Sequence, residues 1–433
     1  MKRALVQSSP ATADRRPSRK VLIYGLNYAP ELTGIGKYSA EMAESLADAG
    51  YQVRVVCAPP YYPEWRIGAG HSAWRYRTEE LAAVRIQRAP VWVPSRPGGL
   101  KRLLHLASFA IASMPTVFAQ LFWRPDIVIA VAPSLMNIPA ALMFGKLARA
   151  RTWLHIQDYE VDAAFELGLL KGKRLRKLAL GVESWLMRRF DVVSTISAKM
   201  IEHGRRKGVA TPRLFALPNW VDVNIIFPLE RPSSYRAALN IPKESIVVLY
   251  SGNMGAKQGI EVLAQAAAAL AYRLDIHFVL CGDGPCKASL VEQCAHLANC
   301  TFLSLQPLEK LNDLLNVADI HVLPQRADAA DLVMPSKLTG MLASGRAIIA
   351  MARAGTELFD VVSARGVTVP PEDVEALVVA IEKLADDEGM RRRLGAAARF
   401  YAETELSRRA VIERLDGRFQ VLCDRVREGS VFT

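Results

Sequence analysis

A lysine at a helix start, with glycine loops upstream of it, has the residue types and spacing to hold an anion. Asp331 to Ala350 reads DLVMPSKLTGMLASGRAIIA. A strand-like run, Ile320-His321-Val322-Leu323, ends at Pro324, and a polar loop rich in Asp and Ala follows. Pro335-Ser336-Lys337 then opens a short helix that closes at Gly345, and Ala347-Ile348-Ile349-Ala350 resumes as a buried strand. The Ser336 hydroxyl suits an N-cap. A helix start gathers free N–H groups and the positive end of the helix dipole, which fits a phosphate. Lys337 adds a full charge there. An ordinary βα turn with a solvated lysine would use the same residues, so the decision rests on what shares the sheet edge.

Two further loops should reach that edge. The strand Ile246 to Tyr250 leads into Ser251-Gly252-Asn253-Met254-Gly255-Ala256-Lys257-Gln258-Gly259, with a helix from Ile260 to about Ala271. The strand Ile276 to Leu280 ends in Cys281-Gly282-Asp283-Gly284-Pro285. Loops 251–259, 281–285 and 333–337 converge, with Lys257 and Lys337 as their cations, and such a convergence suits a nucleotide diphosphate. In the first half, Val21 to Tyr24 runs into a loop containing Gly34 and Gly36, and a helix follows from Lys37 to Ala49. This βαβ unit places the loop at a carboxyl sheet edge. Its glycines do not have the GxGxxG spacing of a dinucleotide fingerprint, and a plain tight turn would use them too.

A third strand, Thr152 to Ile156, leads into Gln157-Asp158-Tyr159-Glu160-Val161-Asp162. His155 and Asp158 at its carboxyl end could serve acid–base or hydrogen-bonding roles. The three acids would share a face, as a metal site requires, only on a strand; a solvated helix N-terminus favours acids as well. Tyr61, Tyr62, Trp65, Trp74 and Tyr76 interleave with arginines, a pattern for stacking on sugars or bases that an ordered surface loop also shows.

These residues need a scaffold of two domains. The 433 residues exceed one core, and 51% are hydrophobic. The net charge of +12 points to an anionic partner, yet no nucleic-acid motif is present. Six cysteines without a CxxC pair read as reduced thiols of a cytosolic protein. Strand and helix runs alternate twice, so the expected fold is α/β with two tandem Rossmann-like doubly wound domains. Residues 1–19 read as a disordered basic tail, 20–217 as the first domain, 218–228 as a linker, 229–405 as the second domain and 406–427 as one long amphipathic helix. Residues 98–125 are almost uncharged after Lys101-Arg102; a span, a helix at the membrane surface and a buried helix all fit, with His105 and Pro115 arguing against a span.

The motif order resembles the GT-B glycosyltransferases of family 4, through GNMGAKQG, CGDGP and PSKLTGMLASG, over Lys20 to about Arg427. YGLNYAPELTGIGKYSAEM and APPYYPEWRIG are similar to the colanic-acid-type fucosyltransferases of exopolysaccharide assembly. The resemblance implies two Rossmann-like domains with a cleft between them, a C-terminal crossover helix, and a nucleotide-sugar donor such as GDP-fucose. It also implies a lipid-linked saccharide acceptor, transfer with retention, no obligatory metal and no cofactor. It assigns the donor diphosphate to Pro335, Ser336, Lys337 and Leu338 with Asn253 and Lys257. The base would border Gly282, Asp283 and Gly284, Gly34 and Gly36 would face the phosphate or reacting sugar, and His155 and Asp158 the acceptor. Gly340 stands where many relatives carry a ribose-binding Glu. The expected partners are therefore a nucleotide sugar, a lipid-linked saccharide and an anionic membrane surface, but not nucleic acid, with the protein peripheral on the inner face of the cytoplasmic membrane. A non-catalytic nucleotide-sugar-binding protein and a nucleotide-sugar epimerase of the same fold are the alternatives.

Overall fold

The computed structural model describes residues 19–31, 34–96, 98–132, 135–159, 161–162, 172–255, 258–326 and 335–429, with side chains to residue 423. Lys257, Glu160 and Asp331 to Met334 lie outside the described residues. The chain divides into two compact units, residues 1–153 with 164–170, and 154–163 with 171–433.

The central apolar runs become strands because they are buried on both faces, as parallel sheets require. The strands are β1 (Lys20–Gly25), β2 (Gln52–Cys57), β3 (Arg77–Leu81), β4 (Val84–Arg88), β5 (Ile127–Ala132), β6 (Arg151–Ile156), β7 (Val192–Thr195) and β8 (Leu214–Ala216). They form a sheet in the order β3-β4-β2-β1-β5-β6-β7-β8. The second sheet contains β9 (Ile246–Ser251), β10 (Ile276–Cys281), β11 (Cys300–Leu303), β12 (Ile320–Leu323), β13 (Ala347–Met351) and β14 (Val367–Val369). Its order is β11-β10-β9-β12-β13-β14, with every pairing parallel. Counted from β9, that order is 3-2-1-4-5-6, which reverses between β9 and β12. Ligands of such sheets bind outside the carboxyl ends of the strands at the reversal. The loop after β9 and the chain after β12 are two of the three loops singled out in the sequence.

Several elements differ from expectation. The first helix is Gly34–Asp48, three residues longer at its start than predicted, so Gly34 and Gly36 sit in its first turn instead of in a loop. Gly34 takes φ +61°, a value that other residues adopt only under strain. The aromatic stretch 61–76 contains no strand, and directly after it Arg77–Leu81 and Val84–Arg88 form an antiparallel hairpin that the sequence did not announce. Its turn is Ala82-Ala83 at φ 49° and 60°; the two left-handed residues match the twist of a two-residue hairpin, but without Asn or Gly they leave no sequence signal. The helix Gly99–Ala119 runs through Pro115 and turns His105, Phe109 and Val117 inward. Residues 99–122 are long and apolar enough to cross a membrane by length and composition alone. The predicted helix 406–427 is Arg408–Gly429, preceded by Glu388–Glu405. At their junction Val221 N donates to Leu406 O at 2.9 Å and Arg408 N donates to Val221 O at 3.1 Å. Arg418 lies over the Phe215 ring of β8 at 6.0 Å.

Residues 223–229 are bound to the second sheet's helices by side chains. The Arg399 guanidinium donates to the carbonyls of Ile226 (2.7 Å), Val223 (3.0 Å) and Ala343 (2.8 Å). Asn316 donates to Phe227 O and accepts from Leu229 N, both at 2.9 Å.

The loops after β9 and β10 meet backbone to backbone. A Cβ on Gly282 would lie 1.9 Å from Gly252 O, and one on Gly284 would lie 2.4 Å from Met254 O. Both glycines hold φ above +150°. Gly282→Ala should therefore cost about 3 kcal/mol or more, by clash and backbone strain together. Urea unfolding checks this, and a wild-type midpoint would contradict the packing described.

Candidate functional site

Lys337 is the centre of the site in the second sheet. It lies in the first turn of the helix Ser336–Ala343, which precedes β13. Its Nζ donates to the Tyr250 hydroxyl at 3.0 Å and stands 4.5 Å from that ring's centroid. The Tyr250 hydroxyl in turn donates to Asn253 O at 2.5 Å. Gly252, at φ +149°, makes room for the lysine: a Cβ there would lie 2.8 Å from Lys337 Nζ. Among the described residues no carboxylate pairs with this ammonium. Burial lowers its pKa from 10.5 to about 8, because a desolvated cation without a counter-ion is unfavourable. Burial likewise raises the Tyr250 phenol, so it stays neutral. The result is a half-buried cation at a helix N-terminus, held by neutral partners and open to an anion.

The other expected donor residues have distinct places. Ser336 is exposed and is the first helical residue; Pro335 occupies the N-cap position, with no side-chain capping bond. The N-cap role expected of Ser336 is thus corrected, because the proline's extended ψ already sets the entry and moves the serine one place in. Leu338 is fully buried, and its N–H bonds to Pro335 O at 2.9 Å, so its side chain anchors the helix in the core. The Ser336 and Lys337 amides have no intrahelical partner by helix geometry. Asn253 is exposed beside Gly284, whose added Cβ would meet its Oδ1 at 2.8 Å. Asp283 accepts from Lys287 Nζ (2.7 Å) and Leu305 N (2.8 Å), and Lys287 holds its carboxyl below the usual range. Asp283 is therefore a latch that fixes the glycine loop to the chain after β11. Gly340 faces Leu315, which a Cβ would meet at 3.3 Å.

His155 is the penultimate residue of β6, and Asp158 follows the strand. His155 is buried, and burial lowers its pKa to about 4. Gln157 Nε2 donates to its Nε2 at 3.0 Å, leaving Nδ1–H to donate to Ser194 Oγ at 2.9 Å. The ring is thus a neutral hydrogen-bonding group. Asp158 is exposed. Asp162 turns inward, its carboxylate 2.7 Å from Lys207 Nζ and 3.2 Å from His203 Nε2; Lys207 also pairs with buried Glu183. Of the three acids considered as metal ligands, Asp162 is committed to this cluster.

In the first unit, Gly36 serves a carboxylate. Glu31 is buried, accepting from Tyr61 N and Tyr62 N (both 3.1 Å) through Oε1 and from Asn27 Nδ2 (3.0 Å) through Oε2. A Cβ on Gly36 would lie 2.6 Å from that Oε2. Burial raises the Glu31 pKa despite these donors. Glu31, Tyr250 and Gly252 were not among the site residues expected from sequence. A lone polar tip at the end of the apolar strand IVVLYS was the available signal for Tyr250.

Comparison with known proteins agrees with this geometry. Residues 33–220 match the family described as Glycosyl transferase 4-like domain, and residues 245–387 match Glycosyl transferases group 1. The chain is 42% identical over 405 residues to the Escherichia coli (strain K12) protein named for colanic acid biosynthesis, the glycosyl transferase WcaI, covering 91% of this chain and 98% of that one. Among solved structures, sucrose-phosphate synthase from Thermosynechococcus elongatus superposes with a TM-score of 0.70 at 18% identity, over 93% of this chain and 99% of that one. WaaG, a glycosyltransferase involved in lipopolysaccharide biosynthesis, gives 0.62 at 16% identity, over 91% and 98%. Two Rossmann-like sheets, a cation at the second sheet's reversal point and a full-length relative at this identity together establish that the chain belongs to the GT-B glycosyltransferases with a 4-like first domain and a group 1 second domain.

Proposed function

We propose that the chain moves fucose from GDP-fucose, with retention and without metal or cofactor, onto a lipid-linked saccharide during exopolysaccharide assembly of the colanic-acid type. The relative named for colanic acid biosynthesis supports the pathway class. The observation that carries the donor reading is Lys337, an ammonium with no carboxylate partner among the described residues, at a helix start beside Gly252. Cleaving a sugar–phosphate bond places negative charge on the departing diphosphate. A fixed cation and two free amides stabilise that charge most in the transition state. In this reading the leaving phosphate itself takes the acceptor's proton on the same face, which asks for no carboxylate nucleophile. Asp158, being exposed, is the group we assign to the acceptor, with His155 holding the end of β6. We keep 20–217 as the acceptor domain, 229–405 as the donor domain and 218–228 as their linker.

We place the protein on the inner face of the cytoplasmic membrane. Leu100, Leu104, Ile111 and Phe122 are more than half exposed, beside Lys101 and Arg102, as an interfacial helix requires.

A panel of nucleotide sugars incubated with purified protein and membrane lipid extract tests the reaction. Acceptor-dependent release of GDP from GDP-fucose is expected. Release from another donor instead would reject the fucose assignment, and conversion of a free nucleotide sugar without acceptor would favour the epimerase. Lys337→Ala should lower kcat/KM by about 2–4 kcal/mol of transition-state stabilisation; wild-type turnover in the folded variant would remove Lys337 from the site.

The Lys337 ammonium also sets a pH dependence. Its folded pKa of about 8 lies below the ordinary 10.5, so between those values the unfolded chain binds more protons and this group's contribution to the stability of the free protein rises with pH. A bound diphosphate favours the charged form. GDP affinity should therefore fall as pH rises through about 8, with proton uptake on binding, and the dependence should flatten in Lys337→Met. Calorimetry in buffers of different ionisation enthalpy checks both.

A further inference from the structure

The helix Lys173–Met187 carries an exposed face that neither sheet uses. Leu175, Leu178, Val182 and Trp185 are 47%, 66%, 43% and 49% exposed. Their spacing of three, four and three residues aligns them along one stripe about 80° wide at 100° per residue. The side packed against the protein is Glu183, Leu186 and Met187. Beside the apolar stripe runs a cationic one: Arg174 and Lys177 line the same shallow groove as Leu178, Gly181, Val182 and Trp185. Lys173 and Arg176 share the helix's first turns and Arg188 and Arg189 follow its last, with the Arg189 guanidinium 3.4 Å from the Trp185 ring centroid. The helix has a single acid, Glu183, buried against Lys207. Among the described residues no carboxylate pairs with Lys173, Arg174, Arg176 or Lys177.

We propose that this face is a second membrane-docking surface, distinct from residues 99–122, which seats its apolar stripe in the headgroup layer of a bilayer containing anionic lipid. Charge decides the occupant. A second copy of the chain would bring the same cations against themselves in a two-fold contact. A phosphate polymer would satisfy the cations but leave Leu178, Val182 and Trp185 wet. An anionic bilayer satisfies both stripes, with the indole at the depth that Trp prefers. The inference extends the membrane partner proposed above and is independent of which sugar is transferred.

Sedimentation with phosphatidylglycerol-containing and pure phosphatidylcholine vesicles tests it. Arg174→Ser with Lys177→Ser should lower partition into the anionic vesicles roughly thirty-fold. Leu178→Ser with Trp185→Ser should abolish the part of binding that survives high salt. Brominated lipid should quench wild-type fluorescence more than that of Trp185→Phe. GDP affinity measured alongside should stay at the wild-type value, which separates lost docking from lost folding. Wild-type partition in both double variants, no vesicle binding by the wild type, or burial of this face in a solution dimer would each overturn the proposal. If Ile111→Ser with Phe122→Ser alone removes binding, the surface at 99–122 stands and this one falls. Vesicle binding through this helix without any acceptor-dependent diphosphate release would leave the docking surface intact and reject the transferase reading instead.

Discussion

The site around Lys337 depends on how closely two peptide backbones can approach. Gly252, Gly282 and Gly284 hold φ between 149° and 155°, a region that is essentially glycine's alone. At two of these positions the absent Cβ is replaced by a neighbouring carbonyl, and at the third by the Lys337 side chain. A larger residue at any of them would move a loop or displace the ammonium. The two loops are then cross-tied by Met254 N to Asp283 O at 2.9 Å and Cys286 N to Met254 O at 3.0 Å. The sheet reversal between β9 and β12 chooses where the site forms, and the glycines decide how tightly it closes around its cation.

The first unit reaches a comparable result by other means. There the space left by Gly36 is filled by the Glu31 carboxylate, which ties the entry of the first helix to the backbone of Tyr61 and Tyr62. Arg88 holds the same region from the adjacent edge, donating to Ala29 O at 2.7 Å and Ala58 O at 3.0 Å. The two halves thus use glycine differently: as a seat for a buried acid in one, and as clearance for a buried base in the other.

Much of this was legible in the sequence because apolar runs buried on both faces announce parallel strands, and glycine loops at their ends announce close approach. Ile246 to Tyr250, Ile276 to Leu280 and Ile320 to Leu323 were placed correctly on that basis, and Lys337 followed from its position after the last of them. What escaped was whatever depends on a single tertiary neighbour. Tyr250 reads as one more strand residue until Lys337 is beside it. Ser336 reads as a cap because serine is a good one, yet Pro335 already fixes the helix entry. The Ala82-Ala83 turn is invisible because alanine seldom adopts left-handed φ, and the charged strand Arg77–Leu81 has no apolar alternation to report. Of the two roles open to His155, burial favours the hydrogen-bonding one, and Asp162 is drawn into an ion pair with Lys207.

One guanidinium has a mechanical consequence. Arg399 binds Val223 and Ile226, in the segment between the sheets, with the same group that binds Ala343 at the far end of the Lys337 helix. That helix is thus gripped at its carboxyl end by the residue that immobilises the connecting chain. Residues 223–228 and 336–343 are therefore tied through one side chain, whose hold on the helix lies about 10 Å from its Lys337 end at ~1.5 Å rise per residue.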